Sequence, residues 1–197
     1  MMLALKRDYY SRAEYLALEE GAETKSEYYR GEIFAMAGAS KNHNRIARNL
    51  VVALESQLSH SPCETFIGDI RVYVARHDLY TYPDVLVVCG ETVMDEGRDD
   101  TITNPQVIVE VLSKSTKGYD KGDKFRFYQS LPSLQEYVLI DQERAFVQHY
   151  RKTMQNTWLL TEWSGLDKTL ILPTIECAIP LSQIYDRVEG LRPVTLV

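Results

Sequence analysis

Helix-like and strand-like segments come in blocks along this chain, which predicts an α/β or α+β fold with a mixed sheet. Three observations carry the prediction. Ser11-Arg-Ala-Glu14 is a capping box at the head of a short helix, and a longer amphipathic pattern follows Ser40. Two apolar runs, residues 82–88 and 107–112, are short and β-branched, as buried strands are. After them a helical stretch, residues 117–130, precedes three more strand-like segments. No repeat, low-complexity stretch or flexible linker divides the sequence, so residues 1–197 are expected to form one domain.

The elements follow in order. The first helix should run to about Glu20. Residues 25–36 read as two strands turning at Arg30-Gly31. A longer helix should run from near Ser40 to near Ser59, with Ile46, Leu50, Val51, Leu54 and Leu58 on one face. In residues 63–75, Ile70, Val72 and Val74 alternate with Asp69, Arg71 and Tyr73, as in a half-buried strand. The two apolar strands come next, joined by an acidic loop at 91–104. Leu131-Pro132 ends the helix that begins at Lys117. Residues 135–140, 145–152 and 156–163 read as strands, and a short helix at 180–187 closes the chain.

Bulk properties narrow the function. A length of 197 residues, 45% hydrophobic and 25% charged, suits a globular domain with its own core. No apolar run is long enough to span a bilayer. The N-terminus meets charge at Lys6 and lacks the apolar core of a signal peptide, so a cytoplasmic location is expected. Cys63, Cys89 and Cys177 are far apart and form no zinc pattern, which predicts reduced core or strand residues. No cysteine lies in a motif that would activate it as a nucleophile. A net charge of −6 argues against a broad nucleic-acid-coating surface but leaves room for a local basic patch. The charge is segregated. Residues 91–100 carry five acids and one Arg, and residues 114–126 carry five bases and two Asp.

Two acids interrupt the apolar strands: Asp84 in Tyr82-Pro-Asp-Val-Leu-Val-Val88 and Glu110 in Val107-Ile-Val-Glu-Val-Leu112. A buried, unpaired carboxylate costs several kcal/mol, roughly, so each needs a partner. Alternation puts Glu110 on the face of Ile108 and Leu112, and Asp84 on that of Leu86 and Val88. If the strands are neighbours, the carboxylates meet at one end of the sheet. Like charges so placed resist joint ionisation unless a cation joins them, and Mg2+ or Mn2+, an oxygen-seeking ion held by one or two carboxylates, suits them. On the next helix Asp120, Lys124 and Tyr128 form one stripe. A lysine there can orient or deprotonate a water, or neutralise a phosphate. Plainer readings stand beside these: Asp84 as a turn residue, Glu110 in an ion pair, Lys124 on a solvated helix face.

An ordered set of motifs spans roughly residues 10–187. It comprises Glu27-Tyr-Tyr-Arg-Gly31-Glu32, His43, Tyr82-Pro83-Asp84-Val85, Val109-Glu110-Val111-Leu112-Ser113-x-Ser115-Thr116, Asp120-x-x-x-Lys124-x-x-x-Tyr128 and Glu136-Tyr137-x-x-x-Asp141. This set resembles the Uma-two family of restriction-endonuclease-like proteins, within the PD-(D/E)xK nuclease superfamily. The resemblance implies a mixed central sheet flanked by helices and metal-dependent hydrolysis of DNA phosphodiester bonds. Asp84 and Glu110 would hold the metal, and Lys124 would be the catalytic lysine. Glu27, Glu32, His43, Gln106 and Asp120 are further candidates. Related nucleases cut both strands as pairs, so a homodimer is an expectation. The superfamily's Glu-x-Lys lysine would fall at 112, where this chain has Leu112, and Lys114 is a poorer substitute than Lys124. Leu112 therefore keeps open a second reading, a non-catalytic descendant that binds nucleic acid or a protein partner.

Overall fold

The structure is a computed structural model that describes residues 9–36, 38–113 and 117–193. Helix α1, Arg12–Glu20, opens with the expected capping box: Glu14 N–H donates to the Ser11 hydroxyl, and the Glu14 carboxylate accepts from Ser11 N–H. Strands β1, Ser26–Tyr29, and β2, Glu32–Ala35, form a hairpin. Helix α2, Lys41–Leu58, is capped by Ser40. Then come β3 (Cys63–Ile67), β4 (Arg71–Val74), β5 (Leu79–Thr81), β6 (Val85–Cys89), β7 (Thr101–Ile102) and β8 (Val107–Leu112). The next helical run has three parts: α3, Lys117–Tyr119, a π-helical turn at Asp120–Lys124, and α4, Phe125–Tyr128. Strands β9 (Glu136–Asp141), β10 (Phe146–Lys152), β11 (Trp158–Ser164), β12 (Thr169–Leu172) and β13 (Cys177–Pro180) precede α5 (Leu181–Ile184).

Six strands form the central sheet, in the order β11-β10-β9-β8-β6-β3, with only β8 and β9 parallel. A second sheet has the order β2-β1-β5-β4-β7, and β12 and β13 pair as a separate hairpin. The mixed α+β architecture is the expected one. Alternation along the central strands sorts their side chains into two cores. Val85, Val87, Val107, Val109, Val111, Val138 and Ile140 face α2, the β12-β13 hairpin and α5. Ile108, Leu112, Leu86, Val88, Tyr137 and Leu139 face α4 and the second sheet. The α2 side chains Ile46, Leu50 and Leu54 are fully buried, each worth about 1.5–3 kcal/mol relative to exposure. On its far side the second sheet stacks Tyr28, Tyr73 and Tyr80 against Tyr15 of α1.

Several expectations are corrected. Residues 63–75 are two strands in different sheets, separated by a turn in which Gly68 has φ +47°. β4 is buried on both faces, so its alternation does not mark a solvent side. The chain also crosses between sheets at Tyr82-Pro83-Asp84, so the strand expected at 82–88 starts only at Val85, after a separate β5. Pro83 has no N–H for a ladder, which favours a break there. The acidic loop contains β7. Cys63 and Cys89 are joined in a disulfide rather than reduced, because they are direct partners in the β3-β6 register. Cys177 is free and buried. No helix among the described residues is long and apolar enough to cross a membrane.

Candidate active site

β6 and β8 are antiparallel neighbours with Val85 opposite Val109, a register that sets Asp84 beside Glu110. Asp84 Oδ2 accepts the Val111 N–H at 2.7 Å and lies 3.1 Å from His43 Nε2. His43 stands in the first turn of α2, at the positive end of the helix dipole. That end is tied to the sheet. The Ser40 hydroxyl both accepts from His43 N–H and donates to Gln142, whose amide donates to the Leu112 carbonyl at 2.9 Å.

Glu110 lies on the Ile108/Leu112 face of β8, where Lys124 meets it. Lys124 Nζ is 2.9 Å from Glu110 Oε1, 3.2 Å from Glu27 Oε1 and 3.9 Å from Asp120 Oδ1. The Tyr128 hydroxyl donates to Glu110 Oε1 at 3.1 Å, and the Thr81 hydroxyl donates to Glu27. The Tyr119 ring lies 5.9 Å from the ammonium. Asp120, Lys124 and Tyr128 are all buried, so the stripe read from their spacing is the inner face of this helix. The π-helical turn ends at Lys124 itself; such turns recur at functional sites. Glu27 comes from β1, so the cluster joins both sheets and a helix.

Electrostatics follow from burial. Burial raises the Glu110 carboxyl well above the ordinary range; Lys124 pulls it down, while Asp120 and Asp84 add to the rise. Burial alone would lower the Lys124 ammonium, but Glu110, Tyr128, Glu27 and Asp120 outweigh it and hold the pKa well above normal. The carboxylates around Lys124 thus favour its protonated form.

The other candidates divide. Glu27, His43 and Asp120 join Asp84, Glu110 and Lys124. Gln106 does not: its side-chain oxygen accepts the Cys89 N–H at 2.7 Å, at the opposite end of β8. Glu32 is exposed on the edge strand β2, in register with Tyr29. Leu112 is 4% exposed and packs in the apolar core. Lys114 lies outside the described residues. Thr81, Ser40 and Gln142 were not singled out from the sequence, since contacts across sheets leave no local pattern.

A family model described as "Putative restriction endonuclease", Uma2, matches residues 12–182. The chain belongs to the Uma2 family. The chain is also similar to two uncharacterized proteins of Synechocystis sp.. One, sll1609, is 44% identical over 165 residues, covering 84% of this chain and 93% of its own length. The other, slr1290, is 37% identical over 175 residues, covering 89% and 90%. Among solved structures, one titled a "putative nuclease belonging to DUF820" from Anabaena variabilis superposes with a TM-score of 0.72 at 19% identity, over 88% of this chain and 96% of that one. At that identity it establishes a shared fold.

Proposed function

We propose that this Uma2 protein is a divalent-metal-dependent nuclease that hydrolyses DNA phosphodiester bonds at Asp84, Glu110 and Lys124. One observation carries the reading: Glu110, Glu27 and Asp120 converge on a single buried lysine, with Asp84 adjacent to Glu110. That excess of buried negative charge favours an added cation. The donor set fits Mg2+ or Mn2+. Asp84 Oδ1 and Glu110 Oε2 make no hydrogen bond among the described residues, while their partner oxygens are anchored. No group of three or more His, Cys, Asp or Glu among the described residues is arranged to hold a metal alone. Two carboxylates would hold it, with water and phosphate completing the shell, as magnesium tolerates.

When bound, the metal would polarise the phosphoryl oxygen and lower the pKa of an attacking water. The protein's own residues do the rest. The Val111 N–H and His43 hold Asp84 in one orientation. Tyr128 and Lys124 hold Glu110. Lys124 keeps a positive charge beside the position where charge builds on the phosphate, an arrangement worth most in a water-poor site. A homodimer would supply two such sites for the two strands, and sedimentation analysis would detect it.

A second reading rests on Leu112, an apolar residue where the superfamily keeps its lysine: a non-catalytic module that binds nucleic acid or a protein partner. Manganese titration by calorimetry separates the two. A nuclease should bind metal and lose that binding in Asp84→Asn. Heat-silent titration together with uncut DNA would favour the binding module.

A further inference from the structure

The surface opens into a cleft of about 510 Å3 lined by Lys117, Glu143, Arg144, Arg192 and Pro193. Two of its cations pair with Asp141, which faces Leu112 across the β8-β9 ladder, two residues from Glu110. Asp141 is a buried tether: Lys117 Nζ approaches Oδ2 at 3.1 Å and Arg144 Nη2 at 2.8 Å. Arg192 pairs with Glu143. Lys121 stands one turn beyond Lys117 and makes no ion pair among the described residues. Burial lowers its ammonium pKa, and Lys117 and Arg144 add to the fall while Asp141 and Glu162 offset part of it. Lys117, Arg144 and Arg192 line the cleft with Glu143, and Lys121 stands nearby with Asp141 and Glu162, which leaves one cation in excess for an anion to balance.

We propose that this cleft binds the phosphate backbone of the nucleic-acid strand that leads into the Asp84/Glu110 site. The proposal rests on the nuclease reading of that site and names where its substrate lies. Lys117 and Lys124 are seven residues apart on one helical run, about 10 Å along its axis. At about 3.4 Å of rise per nucleotide, that separation is roughly three steps of one strand. Lys117, Lys121 and Arg144 would therefore contact phosphates a few nucleotides from the bond being cut. They carry no base-reading pattern, so their contribution is positional and independent of sequence.

The test is fluorescence anisotropy with a short labelled DNA duplex across a KCl series, in EDTA so that no turnover occurs. The wild type should bind with a steep salt dependence. Lys121→Glu at a half-buried position and Arg192→Glu at an exposed one should each weaken binding about tenfold. Each should also reduce the slope of log affinity against log salt by about 0.9. Inorganic phosphate should displace DNA no better than KCl at equal ionic strength. Unchanged affinity and slope in both charge reversals would overturn the proposal, as would absence of binding by the wild type. So would displacement by phosphate far below the KCl concentration needed, which would mark a small-anion pocket. Because the readout is binding, charge-dependent binding here together with no nicking by the folded protein in Mg2+ or Mn2+ would sink the nuclease reading and leave this cleft standing.

Discussion

Lys124 holds its proton because carboxylates surround it, and it holds those carboxylates in place in return. Removing its charge strands Glu110 and Glu27 in the interior. Lys124→Met should therefore lower unfolding free energy by about 3–5 kcal/mol in urea titrations. Magnesium should raise the melting temperature of Lys124→Met more than that of the wild type, since the lysine no longer competes for Glu110. No shift in either protein would show that no cation occupies this place. Much of this cluster was legible in the sequence. An acid in each of two apolar strands is rare enough to stand out, and a four-residue spacing fixes one helical face. Gln106 misled because a strand end can face either neighbour; its amide is consumed by the Cys89 backbone. Glu27 and Glu32 looked alike, five residues apart in one hairpin, and only the packing of the two sheets separates them.

At the scale of elements, the β1-β2 hairpin delivers Glu27 through a two-residue turn. Arg30 (φ +47°) and Gly31 (φ +94°) are both left-handed, as a type I′ turn requires. A Cβ at Gly31 would also fall 2.5 Å from the Tyr9 ring. Gly31→Ala should cost about 1–3 kcal/mol in chemical denaturation and loosen the Glu27 contact. A neutral effect would mean the turn reshapes freely. The turn was read correctly because Arg-Gly between two apolar-aromatic runs is a local signal. The β4-β5 region was not, because strand exchange between sheets is non-local. The β12-β13 hairpin was likewise missed: its Pro173 and left-handed Glu176 lie inside a run too apolar to look like a turn.

Two features act on the whole molecule. The Cys63–Cys89 bridge closes a segment of sequence separation 26 and fastens the edge strand β3 to β6. Its loss in Cys63→Ala/Cys89→Ala should cost about 3 kcal/mol, read from denaturation under non-reducing conditions. Sequence spacing could not reveal that pair; strand register does. The second feature is the Asp100 network, which joins the acidic loop to β4 through Arg71 and to α1 through Arg98 and Glu20. Burial raises the Asp100 carboxyl, yet Arg98, Thr101 and Arg71 outweigh it and hold the pKa down to about 2. A depressed carboxylate contributes stability above its unfolded pKa, about 3.9, and that contribution is lost as pH falls through about 2. After discounting for partial exposure it amounts to about 1 kcal/mol. Asp100→Asn should be less stable at neutral pH, with a shallower decline between about pH 4 and 2; parallel curves would remove the network from the acid response.

The central claim is that Asp84 and Glu110 form a metal-dependent nuclease centre. The most direct measurement is nicking of supercoiled plasmid in Mg2+ or Mn2+ by the wild type, Asp84→Asn and Glu110→Gln, each verified as folded by circular dichroism. Metal-dependent nicking by the wild type, absent in both variants and in EDTA, is the predicted result. Equal nicking by the variants, or none by the folded wild type with either metal, would contradict it.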